Sequence, residues 1–454
     1  MHKRALGYLS TLAVCSFAAA PLRLAAQTQS PPGARGEGGS GAFTVYDLGT
    51  LGGSVSSGNA INNLGWVLGN ANLSGDRITR ATVWIDGMKF DLGTLGGENS
   101  VIGWPVHNDR GVISGFAETA EIDKLGEAWS CSAFFPTTTH QVCLGFRYFE
   151  GHKTALPTLG GTNGYAAGVN AGGDVVGWAE TTVHDSTCNP PQVLQFEAVL
   201  WRAEGKTEVL SPYPGDSDGA ATAVNAQDDA VGISGTCDNA VGAGTARHAL
   251  IWHNGVPRKI DTFGGAGWNT PTDINDRGQV VGFADVANDV SGGILTPFPL
   301  PLGFIWSEST GTVEIAPLPG DMYAIAYAIN EEGVVVGQSF GGPEGSRAFV
   351  WFAGKSYDLN EFLPPGAPLY LVFAEGINNR NEITGQACVL VDGMCPATGA
   401  VMPAFLAVPN FESGEAGAAL EAAAAGGAAP AVAVPRGQYL QPLRRFGAKI
   451  EGSR

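Results

Sequence analysis

Short runs of β-branched and aromatic residues, separated by turns rich in Gly, Asn and Asp, follow one another from residue 43 to residue 409. In one such segment the turn Ile274-Asn-Asp-Arg-Gly278 leads into the apolar run Gln279-Val-Val-Gly-Phe283. Asn in such a turn bonds to its own backbone and Gly adopts the left-handed conformation, as in a tight β-hairpin. The region shows no helical periodicity. The pattern therefore predicts short strands joined by hairpins.

Seven copies of this hairpin can be counted by the Asn that follows the first strand of each copy. These residues are Asn62, Asn108, Asn170, Asn225, Asn275, Asn330 and Asn378, separated by 46, 62, 55, 50, 55 and 48 residues. A third apolar strand, such as Ala348-Phe-Val-Trp351, and a fourth strand complete each unit. The period is that of propeller blades and is too long for most solenoid repeats. The uneven spacing indicates loop insertions, which we place at residues 117–145, 179–196, 284–302 and 386–403.

Seven four-stranded antiparallel units bury their two apolar faces best by radial stacking, so the predicted fold is an all-β, seven-bladed β-propeller. Small residues, as in Gly58-Asn-Ala-Ile61, suit the crowded innermost strand. The third strands carry Trp84, Trp201, Trp252, Trp306 and Trp351, which we expect to fill the space between blades. Residues 43–48 form a lone fourth-type strand and the last unit has only three strands. We therefore expect the N-terminal strand to complete the last blade.

A glycine-rich motif precedes each unit. Asp47-Leu-Gly-Thr-Leu-Gly-Gly53 recurs almost unchanged as Asp91-Leu-Gly-Thr-Leu-Gly-Gly97, and weaker copies occupy residues 156–161 and 315–320. The copies keep the backbone character and change the side chains. This behaviour indicates a joint between blades, and we expect ligand-specific residues just after it.

Together these motifs resemble the bacterial HAF repeat family of extracellular repeat proteins. The resemblance rests on the Asp-Leu-Gly-Thr-Leu-Gly-Gly motif, the Ala-Ile-Asn hairpin and the Ala-Phe-x-Trp strand, and it covers about residues 43–409. The second and fourth units depart most from the pattern, at Val106-His-Asn108 and Leu210-Ser-Pro-Tyr-Pro-Gly215. The resemblance implies an exported protein of unassigned activity.

The ends of the chain differ from the repeats in composition. Residues 1–26 combine a basic start, an apolar run and small residues before Gln27, which predicts a signal peptide. Residues 27–42 read as a flexible leader and residues 410–454 as an Ala- and Gly-rich disordered tail. We expect a mature protein without a transmembrane segment, secreted or periplasmic, and monomeric.

Charge and cysteine content agree with export. Without the signal peptide the chain has 22 basic and 43 acidic residues, a formal charge of −21, which makes nucleic acid a poor partner. Six cysteines remain after Cys15 is removed, an even number that predicts disulfides. Their places in the repeat suggest the pairs Cys131 with Cys143, Cys188 with Cys237, and Cys388 with Cys395.

A search for reactive groups yields no catalytic residue, metal site or cofactor. Gly337-Gln-Ser-Phe-Gly341 matches a hydrolase nucleophile motif, but that motif needs a following helix, and here another strand follows. We interpret Ser339 as part of a repeat strand. The histidines are scattered, and Asp216-Ser-Asp218 lacks the further oxygens of a calcium loop.

Binding on the face that carries the insertions is the leading functional hypothesis, with an unknown carbohydrate, envelope component or protein as ligand. Candidate contact residues around the channel mouth are Asn99, Asn163, Tyr165, Asp216, Asp218, Trp268, Asn269, Asp321 and Tyr323. One alternative is a polysaccharide hydrolase or lyase, which would need Asp216 and Asp321 as paired carboxylates. Another is a structural spacer. Trp104, Trp129 and Trp268 lie outside the repeated Trp position and are the first aromatics to test.

Overall fold

A computed structural model of the protein describes residues 41–127, 129–132, 134–237, 246–287 and 301–411. Its strands run from Phe43 to Pro409. The predicted signal peptide lies outside the described residues, as do all of the leader except its last two residues and all of the tail except its first two. No helix among the described residues has the length and apolar character needed to cross a membrane.

In the part of the chain that the structure describes, twenty-eight strands form seven separate four-stranded sheets. The first of these strands is β1 (Phe43–Gly49). Blade 1 contains β2 (Gly52–Ile61), β3 (Val67–Leu73), β4 (Thr79–Ile85) and β5 (Met88–Asp91). Blade 2 contains β6 (Gly96–Val101), β7 (Ile113–Ile122), β8 (Gln141–Phe149) and β9 (His152–Ala155). Blade 3 contains β10 (Gly160–Val169), β11 (Val175–His184), β12 (Leu194–Trp201) and β13 (Thr207–Leu210).

The remaining blades follow the same plan. Blade 4 contains β14 (Asp218–Val224), β15 (Ala230–Gly235), β16 (Ala246–His253) and β17 (Val256–Ile260). Blade 5 contains β18 (Thr270–Ile274), β19 (Val280–Ala284), β20 (Leu302–Ser307) and β21 (Gly311–Ile315). Blade 6 contains β22 (Tyr323–Ile329), β23 (Val335–Gly342), β24 (Gly345–Phe352) and β25 (Lys355–Asp358). Blade 7 contains β26 (Leu369–Ile377), β27 (Ile383–Val389) and β28 (Ala404–Pro409).

The predicted seven-bladed propeller and its closure are confirmed. β1 pairs antiparallel with β28, so the first strand of the chain is the outer strand of blade 7. Phe43, at the start of β1, is 2% exposed and its ring meets those of Phe362 and Phe411. The strand thus contributes a core side chain as well as a row of backbone hydrogen bonds.

The structure departs from the predicted pattern in small ways. Among the described residues there are two single turns of helix, α1 (Trp129–Ser132) and the 3-10 turn η1 (Leu359–Phe362), which the strand pattern did not indicate. Strands β7 and β11 run further than expected, so the loops of blades 2 and 3 are shorter than the predicted insertions. In blade 2 the inner strand ends at Val101, and the chain reaches Asn108 through an irregular segment.

Glycine in the second strand is required by close backbone approach. The Val-Val-Gly run places Gly177 of β11 against β10, where a Cβ on Gly177 would collide with the carbonyl oxygen of Tyr165. Gly337 meets the carbonyl oxygen of Ile325 in the same way. The inner strands bulge at these points, as between Ala326 and Ala328. A side chain here would push the inner strand out of the ring.

Third-strand tryptophans lie between blades, as predicted. Trp84, Trp201 and Trp252 are at most 2% exposed, and each indole Nε1 donates to a carbonyl at the end of the preceding blade. The acceptor lies in the outer strand β1 for Trp84 and in the link after the outer strand for the other two. The Nε1 to oxygen distances are 3.0, 3.0 and 2.7 Å, to Leu48, Pro157 and Ser211 respectively. Because the indole both fills space and bonds across the joint, it fixes the angle between successive blades.

Candidate functional site

Two faces of the ring must be distinguished. The insertion face carries the links between blades and the loops between second and third strands. The turn face carries the Asn turns and the turns between third and fourth strands. The longest described loops of the insertion face are residues 123–140 in blade 2, without residues 128 and 133, residues 185–193 in blade 3 and residues 390–403 in blade 7. Most of the predicted insertion at residues 284–302 lies outside the described residues.

Disulfides hold the insertion-face loops, and all three expected pairs are confirmed. Cys131 and Cys143 join the loop of blade 2 to its own third strand, with 6.1 Å between their Cα atoms. Cys188 and Cys237, with Cα atoms 4.5 Å apart, connect blade 3 to blade 4. The third pair, Cys388 and Cys395, closes a short loop in blade 7. The covalent links restrict loop motion over a large part of this face.

Four of the candidate ligand residues share one position at the entry to an inner strand. Asn99, Asn163 and Asp218 accept hydrogen bonds from backbone N–H groups of the preceding blade's third strand, at 2.9, 3.1 and 3.0 Å. Asn269 instead donates from Nδ2 to the carbonyl of Ala246. All four side chains are at most 2% exposed. They bond neighbouring blades together, a use that the sequence did not indicate.

Asp216 and Asp321 also occupy equivalent places, in the links that enter blades 4 and 6. Asp216 Oδ2 accepts from Ser234 Oγ at 2.6 Å and lies 2.6 Å from His248 Nδ1. Asp321 Oδ2 accepts from Ser339 Oγ at 2.7 Å and from Arg347 Nη2 at 2.9 Å. Each carboxylate therefore ties its link to its own blade. Ser339 lies inside β23 and is fully buried, which confirms the interpretation as a repeat strand.

The aromatic candidates belong to an apolar cluster beneath the insertion face. The ring of Tyr165 stacks 4.1 Å from that of Phe116, and Trp268 packs 5.5 Å from Phe283. Tyr323 packs against Phe340 at 5.4 Å. Buried members of the cluster come from blades 2 to 7 and include inner-strand side chains. Since inner-strand residues such as Tyr327 and Tyr370 are almost fully buried, side chains occupy the channel at this level. Trp104 is buried in the same cluster.

Nearer the turn face, one ion pair spans the channel. His107 Nε2 of blade 2 lies 2.7 Å from Asp273 Oδ1 of blade 5, and Asp273 Oδ2 accepts from the backbone of Ile329 in blade 6. Burial alone would lower the pKa of His107, but the Asp273 carboxylate outweighs it and raises that pKa above its usual range. In the other repeats the position of His107 holds Ile or Val, and the position of Asp273 holds Ala, Gly or Val. The ionisable residues His107 and Asp273, at positions that are apolar in the other repeats, were the sign of this ion pair in the sequence.

A second group that the sequence did not reveal is a set of buried carboxylates between blades 2 and 3. Glu127, in the loop of blade 2, accepts from the backbone N–H groups of Val193 and Leu194 in the loop of blade 3, at 2.8 and 2.5 Å. Glu180 accepts from the backbone of Asn163 at 2.7 Å. Burial, aided by the charge of Glu127, raises the pKa of Glu180 to about 7. Burial likewise raises the pKa of Glu127.

These carboxylates do not form a metal centre. Within the described ranges, no group of three or more His, Cys, Asp or Glu side chains is arranged to hold a metal ion. The two carboxylates of Asp216-Ser-Asp218 do not converge on a common site. Asp216 bonds to the side chains of Ser234 and His248, whereas Asp218 accepts from the backbone N–H of Phe196. The nine candidate residues thus remain a prediction as ligand contacts, and most of them have structural partners within the protein.

Comparison with known proteins finds distant structural similarity alone. The chain matches no protein-family model and no curated protein. A streptogramin B lyase structure is similar over 81% of this chain and 98% of its own, with 11% identity and a TM-score of 0.42. Virginiamycin B lyase from Staphylococcus aureus matches over 81% and 99%, at 10% identity and a TM-score of 0.42. A gluconolactonase from Xanthomonas campestris matches over 56% and 82%, at 14% identity and a TM-score of 0.27. Similarity at this level carries no inference about activity or ligand. The protein is a β-propeller with disulfide-linked loops.

Proposed function

We propose that the protein is an exported binding module of the HAF repeat type, which holds a protein partner of the cell envelope on its insertion face. The disulfides agree with an oxidising compartment. The acidic composition of the chain makes nucleic acid a poor partner.

One observation carries the proposal: large apolar side chains are exposed on the insertion face. Each is at least 43% exposed, and they form two groups, one at blades 2 and 3 and one at blades 6 and 7. The first group is Ile122, Leu125 and Val183, and the second is Met322, Val391, Met394 and Val401. Burying such side chains against a partner yields favourable free energy, and soluble proteins seldom expose them in groups without such a use.

Rigid loops make this surface suitable for recognition. Val391 and Met394 pair with each other through their backbones in the loop that Cys388 and Cys395 close. Glu127 holds the loops of blades 2 and 3 together. A partner that binds preformed loops pays less conformational entropy than one that must order them.

An enzymatic function has less support. The hydrolase or lyase alternative needs paired carboxylates across the channel, such as Asp216 and Asp321. Each instead bonds to a serine and a basic side chain of its own blade, and neither projects as one member of a shared carboxylate pair. Such bonding suits a structural carboxylate more than a general acid.

Site-specific cross-linking tests the proposal. A photoreactive residue replaces Met394 on the insertion face or, as the matched control, Val256, which is 62% exposed in the turn region of blade 4. We expect a defined protein adduct from position 394 in the producing cells, lost when Val391→Asp is added, and none from position 256. Identical adducts from both positions, or none from either, would favour the spacer alternative.

A further inference from the structure

A groove between blades 1 and 2 opens on the turn face, away from the surface described above. Its volume is about 380 Å³. Blade 1 contributes Trp66, Phe90 and Asp91 to its walls, and blade 2 contributes Arg110, Tyr148 and Phe149. The volume falls within the range of small-molecule sites, which are typically lined by aromatic residues and a few polar groups. We call this feature the blade 1–2 groove.

Its aromatic walls are open to solvent. Phe90 is 44% exposed in β5, an outer strand whose four residues are all exposed, and Phe149 is 41% exposed at the end of β8. Trp66 lies against Gly111, where an added Cβ would come within 3.4 Å of the indole Cζ3 atom. That distance is an ordinary van der Waals contact, so Gly111 packs closely beside the indole. Four aromatic rings from two blades line one opening.

The fold does not require these aromatic side chains, as comparison of the repeats shows. The residue at the position of Trp66 donates its backbone N–H to the turn Asn in every unit, but its side chain differs. The other six units carry Val112, Asp174, Asp229, Gln279, Val334 and Glu382 there. At the position of Phe90, units 2 to 5 carry Thr154, Glu208, Arg258 and Val313, whereas units 6 and 7 carry Tyr357 and Tyr46. Propeller geometry thus tolerates polar residues at both positions, and blade 1 has aromatic residues at both.

Polar groups of both signs surround the aromatic walls. Asp91, Arg110 and Glu150 line the groove and are exposed. Arg110 is fixed by donation from Nη2 to the carbonyl of Ala171 at 2.5 Å. Asp91 Oδ1 accepts from the backbone of Gly93 at 2.7 Å. A site with two carboxylates and one guanidinium offers hydrogen-bond donors and acceptors without the excess positive charge that an anionic ligand needs.

We infer that the blade 1–2 groove binds a neutral saccharide. The apolar face of a pyranose ring packs on Phe90 and Phe149, and its hydroxyl groups bond to Asp91 and Arg110 at the edges. A purely apolar ligand would leave these charged groups unused, while an anionic sugar would meet two carboxylates. This site lies on the opposite face from the proposed protein-binding surface, so each can fail without the other.

Calorimetric titration with neutral oligosaccharides tests the inference on the intact secreted protein. The probes are hexamers of the cello, malto, manno, xylo and N-acetylchito series, with polygalacturonate as an anionic comparison. Phe90→Thr and Trp66→Gln install residues found at the same repeat positions in blades 2 and 5. Val313→Thr makes the corresponding change on blade 5, outside the groove, and serves as the matched control. Circular dichroism melts verify folding of each variant.

We expect one neutral series to bind, with affinity reduced about tenfold by Phe90→Thr or Trp66→Gln and unchanged by Val313→Thr. Absence of binding to every neutral hexamer overturns the inference. So does binding that the two groove variants leave intact, or binding to polygalacturonate alone. Sedimentation provides a further check, since self-association abolished by Phe90→Thr would show that a second copy of the chain occupies the groove.

Discussion

Asn378 Nδ2 donates to the main-chain carbonyl of Asn62 at 3.0 Å, across 316 residues of sequence. The same bond joins every blade to the next, from Asn62 to Asn108 and onward through all seven turn Asn residues. Each Asn Oδ1 meanwhile accepts from the backbone N–H four residues later in its own turn. One side chain type thus shapes the hairpin and closes the ring.

Asn378→Asp should therefore destabilise the propeller. The carboxylate keeps the acceptor of the turn but cannot donate to Asn62, and it places a charge in a site that is 3% exposed. We expect a loss of about 2 kcal/mol in the free energy of unfolding, measured by urea denaturation. Asn379→Asp is the control, because exposed Asn379 uses only its Oδ1, as acceptor from Glu331. Equal stability of the two variants would contradict the role assigned to the ring.

Closure by β1 gives a second prediction. Phe43→Ala removes a buried ring from the contact with Phe362 and Phe411 and should cost about 3 kcal/mol. Deletion of residues 43–48 should lower the melting temperature further, because it also exposes the edge of β28. Thr44→Ala, which removes only an exposed hydrogen bond to Asn410, should have little effect. A truncated protein that melts at the same temperature as the full chain would rule out closure by β1.

The buried Glu180 should make stability depend on pH. Its pKa is about 7 in the folded protein and ordinary, near 4.5, in the unfolded chain. The folded state then binds more protons between these values, so stability is full below about pH 4.5 and is lost as pH rises toward 7. Glu180→Gln should remove a decline on the order of 2 kcal/mol between pH 5 and pH 8.

Other ionisable groups also contribute to the pH dependence of stability. The control variants must separate these contributions from that of Glu180. Glu127 repels Glu180, and its own pKa is also raised, so Glu127→Gln should flatten the same profile in part. His107, with a raised pKa, contributes stability that is present at low pH and lost as pH rises through that pKa. His107→Gln removes this separate contribution and should leave the contribution of Glu180 unchanged. A profile that Glu180→Gln does not alter would show that Glu180 is ionised without cost.

Removal of a disulfide should cost more stability when the bond encloses a longer stretch of chain, with a logarithmic dependence on length. Cys188 and Cys237 are 49 residues apart, and Cys388 and Cys395 are 7 apart. Loop entropy in the unfolded chain predicts a loss of about 4 kcal/mol for the double serine variant of the first pair and about 2 for the second. Thermal melts of both variants measure the difference. A larger effect from the short loop would indicate that native-state contacts, and not chain entropy, dominate.

The architecture could be predicted in detail because it repeats. Several independent features indicate the same four-stranded unit: the seven Asn turns, the third-strand Trp residues and the lone strand at residues 43–48. A copy with a weak pattern can therefore be interpreted from the clearer copies. The candidate site could not be predicted in the same way. Asn99 and Asn163 follow the joint, a place that predicts ligand contact, and the structure shows them bonding to the preceding blade. An Asn that faces a ligand and one that faces a strand look alike in sequence.

The sequence by itself determined the blade number, the strand order, the closing strand and the cysteine pairs, because each depends on local patterns that recur with a fixed period. Tertiary structure alone decided which polar side chains are consumed within the ring and which aromatic residues come together. His107 meets Asp273 from 166 residues away, and Phe90 shares a groove with Phe149 only because blades 1 and 2 are adjacent at their turn ends. Such contacts depend on the radial packing of whole blades, which no single repeat encodes.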